Sequence, residues 1–394
     1  MDLETFAWLL TDDGQAALAT ATSAVDEGGS ELQVQSVLRR TTTAEQAAAV
    51  LTQVELRTHA RAKLGDLAAR MYFTRDALEQ ATRLRVSQHR AGRMRAFGAE
   101  TLIDLGCGIG GDMIAAARAG IICAGVDLDP LRVAMAEANL AALGLPGAVM
   151  VADATGVDHS PFDLAYADPA RRTGAGRSFQ VDDWTPPWTW VEELLRRDAC
   201  VKVAPGIPHD LVPAGVEAEW VSDGGEVKEA ALWSGRTATT GRRATVITDG
   251  GLATLEQDDD PGADAVGTRA IGGFLYEPDG AVIRAGLVTA VAAGVGGGLV
   301  DPKIAYVTSD QPFVTPFARG YRVITELPYR EKQLKAALRE RGIGRITIKK
   351  RGVDVSPEQL RKRLALAGDD EATIVLTRVA GEGTCLLVEP IRPA

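Results

Sequence analysis

Four aspartates, each closing a short apolar run, constrain this chain more than any other feature. Asp104 ends TLID, Asp127 ends IICAGVD, Asp153 follows AVMVA, and Asp168 follows FDLAYA. Between the first of these runs, MIAAARAG fits a helix with a C-cap glycine, and LRVAMAEANLAALGL fits a second helix. CVKVAPG adds a fifth strand. Strands alternating with helices predict a mostly parallel sheet covered on both faces. Ligands in such sheets bind beyond the carboxyl ends of the strands, near the point where strand order reverses. A single Asp there is an ordinary turn former or helix cap. Four together mark a site.

Asp104 is followed by Gly106-Cys107-Gly108-Ile109-Gly110-Gly111, between a strand and a helix. Glycine belongs where a turn is tight and backbone approaches a ligand. The run also satisfies the GxGxxG pattern of dinucleotide folds, and Asp127 could hold a ribose diol in either case. The other carboxylates separate the two readings. Asp104 lies where a dinucleotide fold sets backbone against pyrophosphate, which a carboxylate would repel. It suits an anchor for the loop, or a contact through water to a cofactor's amino group. Asp153 stands where a carboxylate can accept from an adenine amine.

From Asp104 through the fifth strand, the chain closely resembles the class I S-adenosylmethionine-dependent methyltransferases, in which LIDLGCGIGGD is the cofactor loop. The resemblance implies a Rossmann-like α/β sheet with S-adenosylmethionine as cofactor. It places Gly106, Gly108 and Gly110 around the methionine part, Asp127 at the ribose and Asp153 at the adenine, with Leu128 and Ala154 lining the adenine pocket. Methyltransferases that modify exocyclic or amide nitrogens carry Asp or Asn, Pro, Pro and an aromatic after the fourth strand. Here Asp168 and Pro169 match, while Ala170 and Arg171 replace the second proline and the aromatic. The resemblance makes Asp168 and the Pro169 carbonyl acceptors for a target amine, and Arg171 a guanidinium able to stack on a base or meet a phosphate. No cysteine is placed to attack a pyrimidine C6, which lowers 5-methylcytosine chemistry.

A loop carrying Arg177, Phe179, Trp184, Trp188 and Trp190 follows. Its aromatics read either as a stacking platform or lid over the site, or as a local apolar cluster. Lys202, in the fifth strand, reads as a substrate contact or a buried pair.

The flanks read differently. Residues 1–97 are rich in Ala, Leu, Gln, Glu and Arg and predict a helical domain, with Thr74 as an N-cap. Arg85, His89 and Arg93 share a helix face with further arginines nearby, which is either a phosphate-facing stripe or a wet surface. Residues 98–250 form the expected methyltransferase domain and 251–320 a connecting region, with an acidic loop at 254–267. Residues 321–394 alternate strands and helices and predict a compact α+β domain.

The whole chain resembles actinobacterial-type methyltransferases with a THUMP-like C-terminal domain. FTRDALEQAT, DPARR, KVAPGIPHDL, the stretch Gly224–Gly235, YEPDGAVIRAGLV and RGVDVSPEQLRKRLAL carry that resemblance. THUMP domains present tRNA or other RNA to a catalytic partner, so it implies RNA, tRNA or rRNA, as partner. The N-terminal helices loosely resemble the lead-in helices of trimethylguanosine-type RNA methyltransferases.

Charge bears on this partner. The net charge of -10 argues mildly against a protein that coats nucleic acid, yet fourteen Lys and Arg stand against five Asp and Glu between Arg319 and Arg363. Lys349, Lys350, Arg351, Arg361, Lys362 and Arg363 are candidate phosphate contacts. No long apolar run suggests a membrane span, the acidic start lacks a secretory signal, and the expected compartment is the cytoplasm. The four cysteines form no CxxC pair and the four histidines no metal pattern, so no metal is expected. The leading functional expectation is methylation of an RNA base nitrogen, N2 of guanine or N6 of adenine. A small-molecule or protein acceptor, or a non-catalytic RNA-binding scaffold, are the alternatives.

Overall fold

A computed structural model describes residues 1–171 and 184–391. It divides into two compact units, residues 1–216 with 231–239 and residues 217–230 with 240–394.

The first unit begins with helices whose starts follow from capping side chains. Helices α1 (Leu3–Leu9), α2 (Asp12–Asp26), α3 (Glu31–Leu38), α4 (Ala44–Leu64) and α5 (Arg75–Gln80) open on Asp2, Thr11, Ser30, Thr43 and Thr74. Each cap oxygen accepts a backbone N–H that the first turn leaves without an intrahelical partner. The stretch FAWLLTDDGQ, which reads as one helix, is broken by the Thr11 cap. Gly14 allows the break, since a Cβ there would lie 2.4 Å from the Trp8 carbonyl oxygen. The stretch TRDALEQATRLRVSQHRAGRMRAFG, which also reads as one helix, is two: α5 stops at Gln80, the backbone turns extended at Ala81 and Arg83, and α6 runs Leu84–Ala96.

Strand β1 (Thr101–Leu105) then leads through the glycine loop to α7 (Gly111–Arg118), β2 (Ile122–Asp127), α8 (Pro130–Leu143), β3 (Ala148–Val151) and β4 (Leu164–Ala167). Two short strands, β5 (Ala170–Arg171) and β6 (Trp184–Thr185), pair with each other, followed by α9 (Trp188–Leu194) and β7 (Ala199–Val203). The strands pair in the order β7-β4-β1-β2-β3, all parallel, as the alternating pattern predicts. Order reverses beside β1, which puts the glycine loop at the switch point.

One continuous core joins the helical segment to this sheet. Phe6, Leu18, Val50, Leu64 and Phe73 pack in the same cluster as Met113, Met135, Leu140 and Trp233. Asn139, fully buried on α8, ties the parts together. Its Oδ1 accepts from the Tyr72 N–H at 2.6 Å, and its Nδ2 donates to the carbonyls of Ile109 at 2.9 Å and Tyr72 at 3.2 Å. Asn139→Ala strips three buried backbone groups of partners and is expected to cost roughly 3 kcal/mol. Chemical denaturation with an unchanged slope would measure it. A loss below about 1 kcal/mol would mean water replaces the amide.

The second unit contains β8 (Glu217–Asp223), β9 (Glu226–Ser234, whose last four residues belong to the first unit), β10 (Arg242–Thr248) and β11 (Gly251–Glu256). The expected acidic loop at 254–267 therefore holds the end of a strand, and α10 (Ala263–Val266) as well. Antiparallel pairing of β11 with β10 extends this segment further than its weak apolarity suggested. After β12 (Phe274–Pro278) come α11 (Gly280–Ala285), α12 (Val288–Gly294), β13 (Gly298–Asp301), β14 (Ile304–Ser309), β15 (Ala318–Leu327), α13 (Glu331–Glu340), β16 (Ile343–Lys350), α14 (Pro357–Leu364), β17 (Asp370–Val379) and β18 (Glu382–Pro390). They build a seven-stranded sheet in the order β13-β14-β12-β15-β18-β17-β16. Leu334, Leu338, Leu360 and Leu364, spaced four apart on α13 and α14, pack with Ile346, Ile374 and Leu376 of that sheet. Among the described residues, no helix is long and apolar enough to cross a membrane.

Candidate active site

At the carboxyl ends of β1, β2 and β4 the first unit holds a cleft of about 610 Å³. Its walls include Asp104, Gly106, Gly108, Asp127, Leu128, Asp153, Ala154 and Asp168, which come together as the sequence expects. Gly110 is not part of the wall. Its φ of +82° and the approach of helix α8, 3.3 Å from a Cβ to that of Ala136, explain the glycine there. Pro169 is buried beside the cleft rather than on its wall. The Arg171 side chain, with Arg172, Arg177 and Phe179, lies outside the described residues.

Each acidic group has a distinct environment. Asp127 Oδ2 accepts from the Gly108 N–H at 3.0 Å, and Oδ1 from the Asp129 N–H at 2.9 Å. The carboxylate thus braces the loop and keeps further lone pairs for a diol. Asp153 Oδ1 accepts from the Thr155 backbone and hydroxyl, and these bonds hold its carboxyl below the ordinary range. Asp104 differs. It is 1% exposed, and its Oδ1 has no hydrogen-bond partner. The loop amides of Gly106 and Cys107 go to the Val126 carbonyl, so Asp104 does not anchor the loop. Burial pushes its carboxyl well above the ordinary range, Asp112, Asp168 and Asp127 add to this, and Arg90 opposes it.

Asp168 Oδ2 accepts from Lys202 Nζ at 2.6 Å, and Lys202 also donates to Thr82 Oγ1 at 3.2 Å. Of its two sequence readings, Lys202 takes the ion pair. Parallel pairing of β4 with β7 sets Ala167 opposite Val201, which brings the next residues of both strands side by side.

Several residues of this site carried no sequence signal. Ala77, Gln80, Ala81 and Thr82 form one wall, because the helix breaks after Gln80. Arg90, read as part of a solvent or phosphate stripe, points inward and is 3% exposed. Arg93 likewise lies 4.3 Å over the Trp233 ring and donates to the Thr237 carbonyl. Of the two readings of the aromatic loop, Trp184 and Trp188 take the local cluster: they are buried edge to face, 5.4 Å apart. Thr185, Pro186 and Pro187 between them reach the cleft instead.

The residues present fit S-adenosylmethionine. Six aspartates and one arginine line the cleft, which favours a ligand carrying a sulfonium and an ammonium. The unpartnered Asp104 oxygen offers an acceptor to that ammonium, and Asp127 to a ribose diol. Leu128, 65% exposed at a strand end, offers an apolar surface to a purine ring. When bound, the cofactor supplies an activated methyl group. The chain's part is to hold the donor and orient an acceptor, so no covalent nucleophile is required. All four cysteines are buried, and burial pushes the Cys107 thiol up and the Cys123 thiol to about 12. Among the described residues no group of His, Cys, Asp and Glu could hold a metal ion.

Comparison with known proteins agrees with this geometry. The THUMP domain-like family model matches residues 318–390, and a domain of unknown function (DUF8688) matches residues 2–60. An uncharacterized S-adenosylmethionine-dependent methyltransferase of Mycobacterium tuberculosis, strain CDC 1551 / Oshkosh, is 37% identical over 337 residues, covering 82% of this chain and 90% of its own. The protein of strain ATCC 25618 / H37Rv matches with the same figures. The crystal structure of a candidate methyltransferase from Porphyromonas gingivalis W83 shares the fold, with a TM-score of 0.72 at 23% identity over 88% of this chain and 91% of that one. The chain belongs to the S-adenosylmethionine-dependent methyltransferases, with a Rossmann-like catalytic sheet and a C-terminal THUMP-like domain.

Proposed function

We propose that this methyltransferase modifies a base nitrogen of RNA. Asp168 carries the reading. It lies on the wall of the cofactor cleft with one oxygen held by Lys202, which leaves the second to accept from a target amine. Such an acceptor concentrates lone-pair density on the nitrogen as it attacks the methyl carbon, and the sulfur leaves as a neutral thioether. The Pro169 carbonyl supplies the second acceptor of this arrangement. Asp104, Asp127 and Asp153, with Gly106, Gly108, Leu128 and Ala154, bind the cofactor beside it, and Gly110 shapes the loop.

The likeness of residues 318–390 to the THUMP domain supports RNA as the acceptor. The basic run there contributes less than its sequence suggests. Lys349 is paired with Glu277 at 2.5 Å, Arg351 lies 5.4 Å over the Tyr306 ring, and Arg363 is paired with Glu331. Lys350, Arg361 and Lys362 stay exposed as candidate phosphate contacts.

Labelled-methyl transfer to total bacterial RNA tests the proposal, with digestion to nucleosides locating the modified base. RNase-sensitive label on a purine amine is expected. RNase-resistant label, or label on a ribose, would overturn it in favour of a protein acceptor or a different atom.

A further inference from the structure

A second cleft, of about 660 Å³, lies wholly within the second unit. The seven-stranded sheet there curls until β13 reaches the turn between β17 and β18. Ala380 in that turn donates its N–H to the Val300 carbonyl at 3.2 Å, and Gly381 donates to Asp301 Oδ2 at 3.0 Å. Strand register decides what faces the inside. Leu275 stands opposite Tyr321 and Tyr276 opposite Val307, so Glu277, Tyr306 and Arg319 share the face of Leu275 and Tyr321. Lys349 stands opposite Val375, which packs in one core with Leu275, Tyr306 and Tyr321. Apolar side chains fill the curl, while Glu277, Arg319, Lys349 and Arg351 line the cleft at its mouth, a common place for a ligand.

Both carboxylates of this cleft are already engaged. Glu277 Oε2 accepts from Lys349 Nζ at 2.5 Å, and Asp279 Oδ1 caps α11 by accepting from the Ala281 N–H at 2.8 Å. Neither Arg319 nor Arg351 forms an ion pair among the described residues. The Arg351 guanidinium lies 5.4 Å over the buried Tyr306 ring, and Lys349 Nζ lies 5.6 Å over that of Tyr321. The rings hold the two cations in place without neutralising them. The cleft is thus net positive in a chain of net charge -10, the reverse of the cofactor cleft with its six aspartates. On its rim Phe313 is 42% exposed, yet its loop is pinned: the Phe313 N–H donates to Tyr276 Oη at 2.7 Å, which donates to the Gln311 carbonyl at 3.1 Å. A fixed aromatic ring in water beside two guanidiniums suits a ligand that combines a planar ring with an anion.

We infer that this cleft binds an unpaired nucleotide of an RNA strand, with the phosphate on Arg319 and Arg351 and the base against Phe313. The inference rests on the proposed reading of RNA as the methyl acceptor. A guanidinium meets phosphate oxygens two at a time, which a single ammonium cannot do. The Lys349–Glu277 pair ties β16 to β12, and so holds Arg351 near Arg319 on the neighbouring strand. Shape selects the strand over the duplex. Stacked bases cannot enter a concave site, whereas a base released from the stack can lie on an aromatic ring. Glu277, Tyr306 and Phe313 precede residues 318–390, so the THUMP-like segment alone does not make this site.

Fluorescence anisotropy on the full chain tests it, with a short fluorescein-labelled single-stranded RNA of mixed sequence. The same RNA annealed to its complement is the comparison, and adenosine monophosphate is the unlabelled competitor. The single strand should bind more tightly than the duplex. Replacing both arginines (Arg319→Ala with Arg351→Ala) should weaken it at least about tenfold and lower the slope of log affinity against log salt by about 1.4. Phe313→Ala should weaken it about fivefold or more with the slope unchanged. Melting and S-adenosylmethionine affinity check that each variant is folded. Arg319 and Phe313 are exposed, so their single variants keep the test open if Arg351→Ala does not fold. Wild-type affinity in the variants or a preference for duplex would overturn the inference. Displacement by adenosine monophosphate at the strand's own affinity would do so too, making the cleft a site for a free nucleotide. The assay involves no methyl transfer, so its failure is separate from that of the RNA acceptor. RNase-sensitive label with unchanged strand binding in the variants would remove the cleft alone, and RNase-resistant label with weakened binding would remove the acceptor alone.

Discussion

Asp168→Ala is expected to lower methyl transfer about a thousandfold while S-adenosylmethionine affinity changes by no more than roughly threefold. Asp168 would act on the acceptor, and the donor is bound by other groups of the cleft. Removing Asp168 also leaves Lys202, 16% exposed, without its carboxylate partner. Asp168→Asn therefore accompanies it, since it keeps an acceptor oxygen and the local shape. Single-turnover transfer and calorimetric affinity, measured on variants with unchanged melting, separate the two effects. A parallel loss of affinity and transfer would place Asp168 in the cofactor site and remove its assignment to the acceptor.

Asp127→Ala should produce the opposite pattern, with affinity for S-adenosylmethionine falling about a hundredfold. The carboxylate accepts from Gly108 and Asp129, so its loss releases the cofactor loop as well as the ribose contacts. At saturating cofactor the rate of transfer should stay within about tenfold of wild type. Retained affinity would mean that the two backbone contacts are the whole role of Asp127. Asp127→Asn should fall between, because its amide nitrogen cannot accept from either N–H.

The helical segment changes how the site is understood. Read along the chain, residues 1–97 precede the catalytic sheet as a separate helical domain. In the structure they share its core, through Gln80 and Thr82 they supply part of the cleft, and Arg90 bonds to Asp112 of its wall. Truncating them would expose the cofactor site from below.

What the sequence determined by itself was the local framework. Apolar runs of strand length, helical periodicity between them, and turn-forming glycine and aspartate at their junctions act over a few residues. They made the parallel sheet, the glycine loop, and Asp104, Asp127, Asp153 and Asp168 at the strand ends legible without coordinates. Tertiary structure decided which of those groups are paired. Lys202 meets Asp168 through the register of β4 with β7, and Arg90 meets Asp112 and Tyr166 across separations of 22 and 76 residues. No pattern of neighbours encodes such meetings. The same holds for charge: arginines on α6 and lysines on β16 look alike in sequence, and only packing turns Arg90 and Lys349 inward while leaving Lys350 in water. Periodicity reports which face of an element is apolar, whereas the fate of a buried polar group depends on what the rest of the chain brings to it.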